Sequence, residues 1–182
     1  MKSSKLSVQD ICCIALFAAV TVIMAQISIP MPLGVPMTMQ TFAVTLAGVV
    51  LGSKRGGLSI LVYILLGAIG LPVFAGLSGG FQILIGPTGG FIISFPIMAW
   101  LIGIGVEKRK QKGMFVLFLI LGTVINYVVG VIMFCALMQA SVGTALAAYV
   151  IPFIPTAIIK AVLAALLGLQ IRDRLPASLQ CA

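Results

Sequence analysis

Residues Ala145–Ile171 read ALAAYVIPFIPTAIIKAVLAALLGLQI, and the one charge among them, Lys160, governs how the chain is understood. About 20 apolar residues suffice to cross a bilayer core ~30 Å thick, so this stretch is long enough to span. A charge stranded deep within such a segment is costly and marks a partner or a functional site. Working outward, further apolar runs occupy Val8–Ile29, Thr41–Gly52, Gly57–Leu71, Gly89–Val106 and Met114–Leu137, six runs in all with the first quoted. The runs beginning at Thr41 and Gly57 are short for a full crossing.

Composition agrees with a lipid environment. The chain is 62% apolar and 8% charged, whereas soluble domains are roughly half apolar and a quarter charged. The expected fold is therefore an all-α integral membrane protein, with residues 1–182 as a single transmembrane domain. Lys2 and Lys5, Lys54 and Arg55, Lys108 to Lys112, and Arg172 with Arg174 mark every second connection, placing ten of the eleven basic residues on one face. The positive-inside bias makes that face cytoplasmic, which requires six transmembrane helices with both termini inside. The N-terminal run is read as a retained first helix, since it is long and its cleavage signal is weak.

Several function classes are excluded. The net charge of +8 raises nucleic acid as a partner, yet no basic stripe with interleaved aromatics runs along any segment. Cys12, Cys13, Cys135 and Cys181 lack metal-type spacing and are read as incidental. There is no histidine, no GxxxxGK[ST], no GxSxG and no pair of carboxylates in the apolar runs, so neither catalysis nor a cofactor or metal is expected. An enzyme acting on lipids is disfavoured for the same reason. Proton-coupled transport generally uses an intramembrane acid or histidine, so active uptake would draw its energy from another subunit.

The outer connections carry more information. Pro30–Gln40 (PMPLGVPMTMQ) cannot be helical through its prolines. Pro72–Thr88 (PVFAGLSGGFQILIGPT) is long and amphipathic; a glycine-rich connector is one account, but its length and apolar residues favour a lid. It ends in Gly86-Pro87-Thr88-Gly89-Gly90, where Thr88 is placed to cap the next helix. The glycines there either admit a ligand to bare backbone or allow close helix packing.

With ~1.5 Å rise per residue, Lys160 lies roughly 18 Å above Arg172, Asn126 roughly 18 Å above Met114, and Ser94 roughly 20 Å above Glu107. These side chains share one level, and with Gln40 and Gln82 they suggest an outward-facing pocket. Lys160 could snorkel to the interface. The acid count argues for another partner: Asp10, Glu107 and Asp173 are the only acids and all lie at the basic face, so a ligand carboxylate is the natural counterion. Asn126 either ties helices together or contacts the ligand, Ser94 more simply bonds its own helix, and Tyr127 either stacks on a ring or fills core space. Small-residue stripes at Ala15 and Ala19, and at Ala161, Ala164, Ala165 and Gly168, suit either a partner helix or internal packing.

Taken together, Pro36-Met37-Thr38-Met39-Gln40-Thr41, Gly70-Leu71-Pro72-Val73-Phe74-Ala75-Gly76, Gly86-Pro87-Thr88-Gly89-Gly90, Tyr127-x-x-Gly130 and Lys160 resemble the BioY family, the biotin-specific S components of energy-coupling factor (ECF) transporters. The resemblance covers nearly all six runs. It implies a bundle of the S-component kind in a bacterial plasma membrane that captures biotin at the outer face. Delivery would use an ECF module of one transmembrane coupling subunit and two ATPases, so that ATP is spent by the partners. It also implies that both outer loops cover the site and that Lys160 lies by the biotin carboxylate. Gln40, Gln82, Gly89, Gly90, Ser94, Asn126 and Tyr127 would complete the site, and Ala15 and Ala19 would touch the coupling subunit. One departure stands out: relatives often carry an aspartate three residues before the lysine, where this chain has Ala157. The competing reading is a stand-alone facilitator or channel for small organic anions.

Overall fold

The computed structural model describes residues 6–31 and 35–175. Lys2, Lys5, Pro32 and Cys181, which figure in the expectations above, lie outside the described residues.

Helix α1 (Val8–Gln26) begins at a capping box: Asp10 N donates to Ser7 Oγ at 3.1 Å, and Ser7 N donates to Asp10 Oδ2 at 2.9 Å. Each side chain thereby satisfies a backbone donor that the helix end leaves unpaired. A two-residue antiparallel ribbon, β1 (Ser28–Ile29) with β2 (Met37–Thr38), pairs Ser28 with Thr38 and Ile29 with Met37, and so gathers the proline-rich loop over one end of the bundle.

Helix α2 (Gln40–Ala68) is interrupted at Gly52, whose φ of 81° and ψ of −174° are open only to glycine at ordinary cost. In a straight helix Gln40 and Tyr63 would stand about 35 Å apart. Instead Gln40 Nε2 donates to Tyr63 Oη at 2.7 Å, so residues 40–51 and 53–68 are two arms folded back on one another. A Cβ on Gly56 would come within 3.0 Å of Gly48 Cα, so the arms can cross there only at glycine, while a Cβ on Gly48 would meet Ala99 O at 2.6 Å. The reversal thus falls just before Lys54 and Arg55, and the second arm starts at Ser53 rather than Gly57.

Charged groups clamp this reversal from three sides. The Glu107 carboxylate accepts from Ser53 N at 2.7 Å and from Ser53 Oγ at 2.9 Å. Arg172, only 4% exposed, donates through Nη1 to Val49 O at 3.2 Å and Val50 O at 2.9 Å. Negative charge meets the N–H end of the second arm and positive charge the C=O end of the first, as the helix dipole favours. Arg55 also pairs with Asp10 at 2.7 Å, tying the hairpin to α1.

The chain continues through a 3₁₀ turn (Ala75–Leu77), α3 (Phe81–Leu84), α4 (Gly89–Glu107), α5 (Met114–Met138) and α6 (Val142–Ala145). After a wide turn (Leu146–Val150) and a tight one (Ile151–Phe153), α7 (Ile154–Arg174) completes the bundle. The apolar run quoted at the outset is therefore not one helix. Pro152 and Pro155 lack donors, and regular geometry begins only at Ile154, where Pro155 falls in the first turn and breaks no bond.

Among the described residues, five helices are long and apolar enough to cross a membrane, the second being the folded hairpin. That hairpin and α4 form the centre, where Val44, Ile60, Tyr63, Phe95, Met98 and Ile102 are buried together. Helices α1, α5 and α7 surround it and turn Leu16, Ile23, Ile120, Val128, Ile158 and Leu166 outward. In water such a surface would be untenable; in lipid it is the solvated face.

Candidate functional site

A cavity of about 270 Å³ opens at the end of the bundle opposite the Gly52 reversal. The first loop contributes Val35, Pro36 and Thr38, and the start of α2 contributes Gln40 and Thr41. From the second loop and α4 come Phe74, Ser78, Ile83, Thr88, Phe91 and Phe95, and the far side is closed by Asn126, Tyr127, Phe153 and Lys160. Four of the expected binding residues, Gln40, Asn126, Tyr127 and Lys160, therefore meet at one site.

Lys160 Nζ donates to Thr38 O at 2.9 Å. An ammonium has three donors, and the other two find no partner among the described residues. The three acids are engaged elsewhere: Asp10 with Arg55, Asp173 with Arg109 at 2.6 Å, and Glu107 with Ser53. A half-buried cation thus faces a cavity with no side-chain carboxylate of its own chain to meet it.

Around it runs a polar chain. Thr38 Oγ1 donates to Gln40 Oε1 at 2.8 Å, and Gln40 passes a hydrogen bond on to Tyr63, whose ring stands edge-on to Phe74 with centroids 5.6 Å apart. Asn126 Nδ2 donates to Phe91 O at 2.9 Å and Ser94 Oγ at 2.8 Å, which leaves its Oδ1 unpartnered among the described residues. Thr41 Oγ1 is buried without a hydrogen-bond partner among the described residues. Such groups are costly unless something satisfies them.

The second loop is held over the site by one side chain. Gln26, in the last turn of α1, donates to Phe74 O at 3.1 Å and Val73 O at 3.4 Å, and accepts from Leu77 N at 2.9 Å. Phe74 is thereby pressed onto Gly67, where a Cβ would collide with its ring. The lid expectation is met in form: a loop of apolar residues folded back onto the bundle.

Other expected site residues lie elsewhere. Gly89 packs against Leu84 O, and Gly90 against Met133 and Val129 O, so this glycine pair serves close packing of α4 and not an approach of ligand to backbone. Thr88 lines the cavity but makes no capping hydrogen bond. Ser94 is off the cavity wall; it bonds Gly90 O and Phe91 O and receives Asn126, so it positions Asn126. Gln82 turns back to Gly79 O at 2.9 Å and is exposed. Ala15 and Ala19 both face outward on α1, while Ala164, Ala165 and Gly168 are buried, the last against Val49.

Sequence reasoning did not single out Phe91, Phe95 and Phe153, and it named Thr41 and Phe74 only as members of motifs, without a role at the site. Phe91 and Phe95 carry a usable signal, because a four-residue spacing puts both on one face of α4. Nothing in the sequence marks Phe153, which reaches the site only through the irregular turns after α6.

Known proteins that resemble this chain bear on its family and its fold. A family model described as "BioY family" matches residues 1–177. The chain is 41% identical over 160 residues to "Probable biotin transporter BioY" of Pyrococcus horikoshii, covering 88% of this chain and 94% of that protein. It is 40% identical over 157 residues to "Biotin transporter BioY" of Thermotoga maritima, covering 86% and 92%. Among solved structures, the crystal structure of the S-component for biotin from an ECF-type ABC transporter superposes with a TM-score of 0.86 at 28% identity, covering 99% of both chains.

Proposed function

This chain belongs to the BioY family, and we propose on that premise that it captures biotin and serves as the substrate-binding component of an ECF-type transporter. The protein is a multi-pass membrane transporter component and not an enzyme. The observation that carries the substrate reading is Lys160, with two free donors in a cavity that its own chain supplies with no carboxylate.

Biotin is a carboxylate on an aliphatic chain joined to a fused ring bearing a ureido group. Its carboxylate would take the free N–H groups of Lys160, with Thr41 Oγ1 and the Thr38 backbone beside them. The aliphatic and ring portions would lie among Phe74, Phe91, Phe95 and Tyr127, and the ureido group would meet hydroxyl or amide groups of the wall, with Gln40 and Asn126 the fixed ones. Gly89, Gly90, Ser94 and Gln82 act only at one remove, through packing or by orienting neighbours.

Both termini are assigned to the cytoplasm, and each arm of the α2 hairpin to a crossing, on the basic end formed by Lys54, Arg55, Lys108 to Lys112, Arg172 and Arg174. The cavity then faces outward. Phe95, Met98 and Ile102 descend α4 below it as packed core, which disfavours a facilitator or channel. Release inside would follow reorientation of the whole subunit within a module of one coupling subunit and two ATPases. The outward Ala15 and Ala19 are the stripe offered to the coupling subunit.

The test is calorimetric binding of biotin and of biotin amide to the purified protein and to Lys160→Ala. Each change alone is expected to weaken binding strongly, and the two together no more than either. Full additivity would remove the charge pair; no biotin binding at all would remove the substrate. Uptake by the isolated chain in ATP-free liposomes would instead favour the facilitator.

A further inference from the structure

A second concavity lies on the outside of the bundle. Helices α5 and α7 pack on α4 and on the α2 hairpin respectively and scarcely on each other, leaving a groove of about 820 Å³ between them. Its walls are apolar: Val116, Ile120, Val124 and Val128 form a ridge at four-residue spacing along α5, and Ile154, Ile158 and Val162 face it along α7. These residues are 44–58% exposed, so none of the described residues fills the space.

The chemistry at one end of the groove identifies an occupant. Lys110 and Lys112 immediately precede α5, and Arg174 ends α7; all three are exposed. None has an ion-pair partner among the described residues, unlike Arg55 and Arg109, which pair with Asp10 and Asp173. Both flanking helices thus present exposed cations at the same end: Lys112 lies about one turn before Val116, and Arg174, twelve residues beyond Val162, comes to that end because its neighbour Asp173 pairs with Arg109 in the turn that leads into α5. A molecule with an anionic head and a long apolar tail complements both parts, whereas a partner helix would need carboxylates at one end to do so.

We propose that the α5–α7 groove is a binding site for an anionic phospholipid, with its phosphate at Lys110, Lys112 and Arg174 and an acyl chain along the Val116–Val128 ridge. One leaflet supplies about 15 Å of hydrocarbon, half of the ~30 Å core. From Val116 that length, at ~1.5 Å per residue, reaches the level of Tyr127. The site depends only on which end carries the cations and stands apart from the biotin assignment.

The experiment uses the whole protein in bilayers of equal phosphatidylglycerol and phosphatidylcholine, transferred to mild detergent and weighed by native mass spectrometry. Phosphatidylglycerol should be retained over phosphatidylcholine by about five- to tenfold, the scale of a basic side chain at an anionic surface. Lys110→Gln with Lys112→Gln and Arg174→Gln should abolish the preference, and Val128→Trp should reduce retention of both lipids. In the unaltered protein, phosphatidylglycerol with a photoreactive acyl tail should label α5 and α7 along the groove. Equal retention of the two lipids, labelling elsewhere on the bundle, or a dimer cross-linked through the groove would each overturn the proposal.

Discussion

Replacing Gly67 by alanine should cripple ligand binding although Gly67 touches no ligand. The added methyl would occupy the space of the Phe74 ring, since the three nearest atoms to its position all belong to that ring. The ring has little freedom to withdraw. Phe74 is 1% exposed, Tyr63 stands edge-on to it, and its backbone is fixed by Gln26 and by its hydrogen bond from Phe74 N to Ser78 O at 2.9 Å. Overpacking of this kind costs about 1–3 kcal/mol. If the lid and ring relieve the clash by shifting, that cost falls on the closed form that retains ligand, and affinity drops roughly 5- to 150-fold. Calorimetry on Gly67→Ala, with thermal unfolding in the same detergent, measures both effects. Gly67→Ala combined with Phe74→Leu removes ring bulk where the methyl arrives and should recover much of the lost affinity. Unchanged biotin affinity in Gly67→Ala, or a loss that Phe74→Leu deepens, would refute the claim that ring and glycine are matched.

Three further outcomes are expected. Gly52→Ala forces a side chain into left-handed backbone and should lower stability by about 1–3 kcal/mol, seen as a lower unfolding temperature. Arg172→Met leaves the carbonyls of Val49 and Val50 without this donor inside the bundle and should cost about 1–3 kcal/mol in the same assay, with Arg172→Lys recovering part of it. Gln26→Ala removes two donated and one accepted hydrogen bond from the second loop; biotin dissociation followed by stopped flow should accelerate about tenfold while association changes little.

The membrane fold was legible because hydrocarbon demands a simple signal, long apolar runs with charges at their ends. That signal fades where runs are short: the first short run ends at Gly52 as expected, but the second arm starts at Ser53 and not Gly57, because a reversal on one glycine cannot be told from a longer connection until its φ is known. The α5–α7 connection was missed for a related reason: Pro152 and Pro155 were read inside one apolar run although their missing donors break it. At the site, Lys160 could be found by subtraction, since three acids all fall at the basic end. Asn126 was read from its level along its helix, Tyr127 as an aromatic at the same level, and Gln40 from its place at the end of the first outer loop. Level carries no azimuth, however, so each of two residues kept two readings: Ser94 stands behind Asn126 and bonds its own helix, and Gly90 faces Met133 in close packing, in both cases the reading without ligand contact. Phe74 depends on a contact with Gly67 that no local pattern encodes.

Helix α1 carries two features described separately above: the outward Ala15 and Ala19, and Gln26 with its three bonds to the second loop. Ala19 and Gln26 are seven residues, or about 10 Å, apart on one unbroken helix. Over that distance a helix behaves as a stiff rod. Were a coupling subunit to grip the alanines as proposed and roll α1 by a few degrees, the rod would pull on Val73, Phe74 and Leu77 at the far tip and carry torque from the docking face to the latch over the cavity.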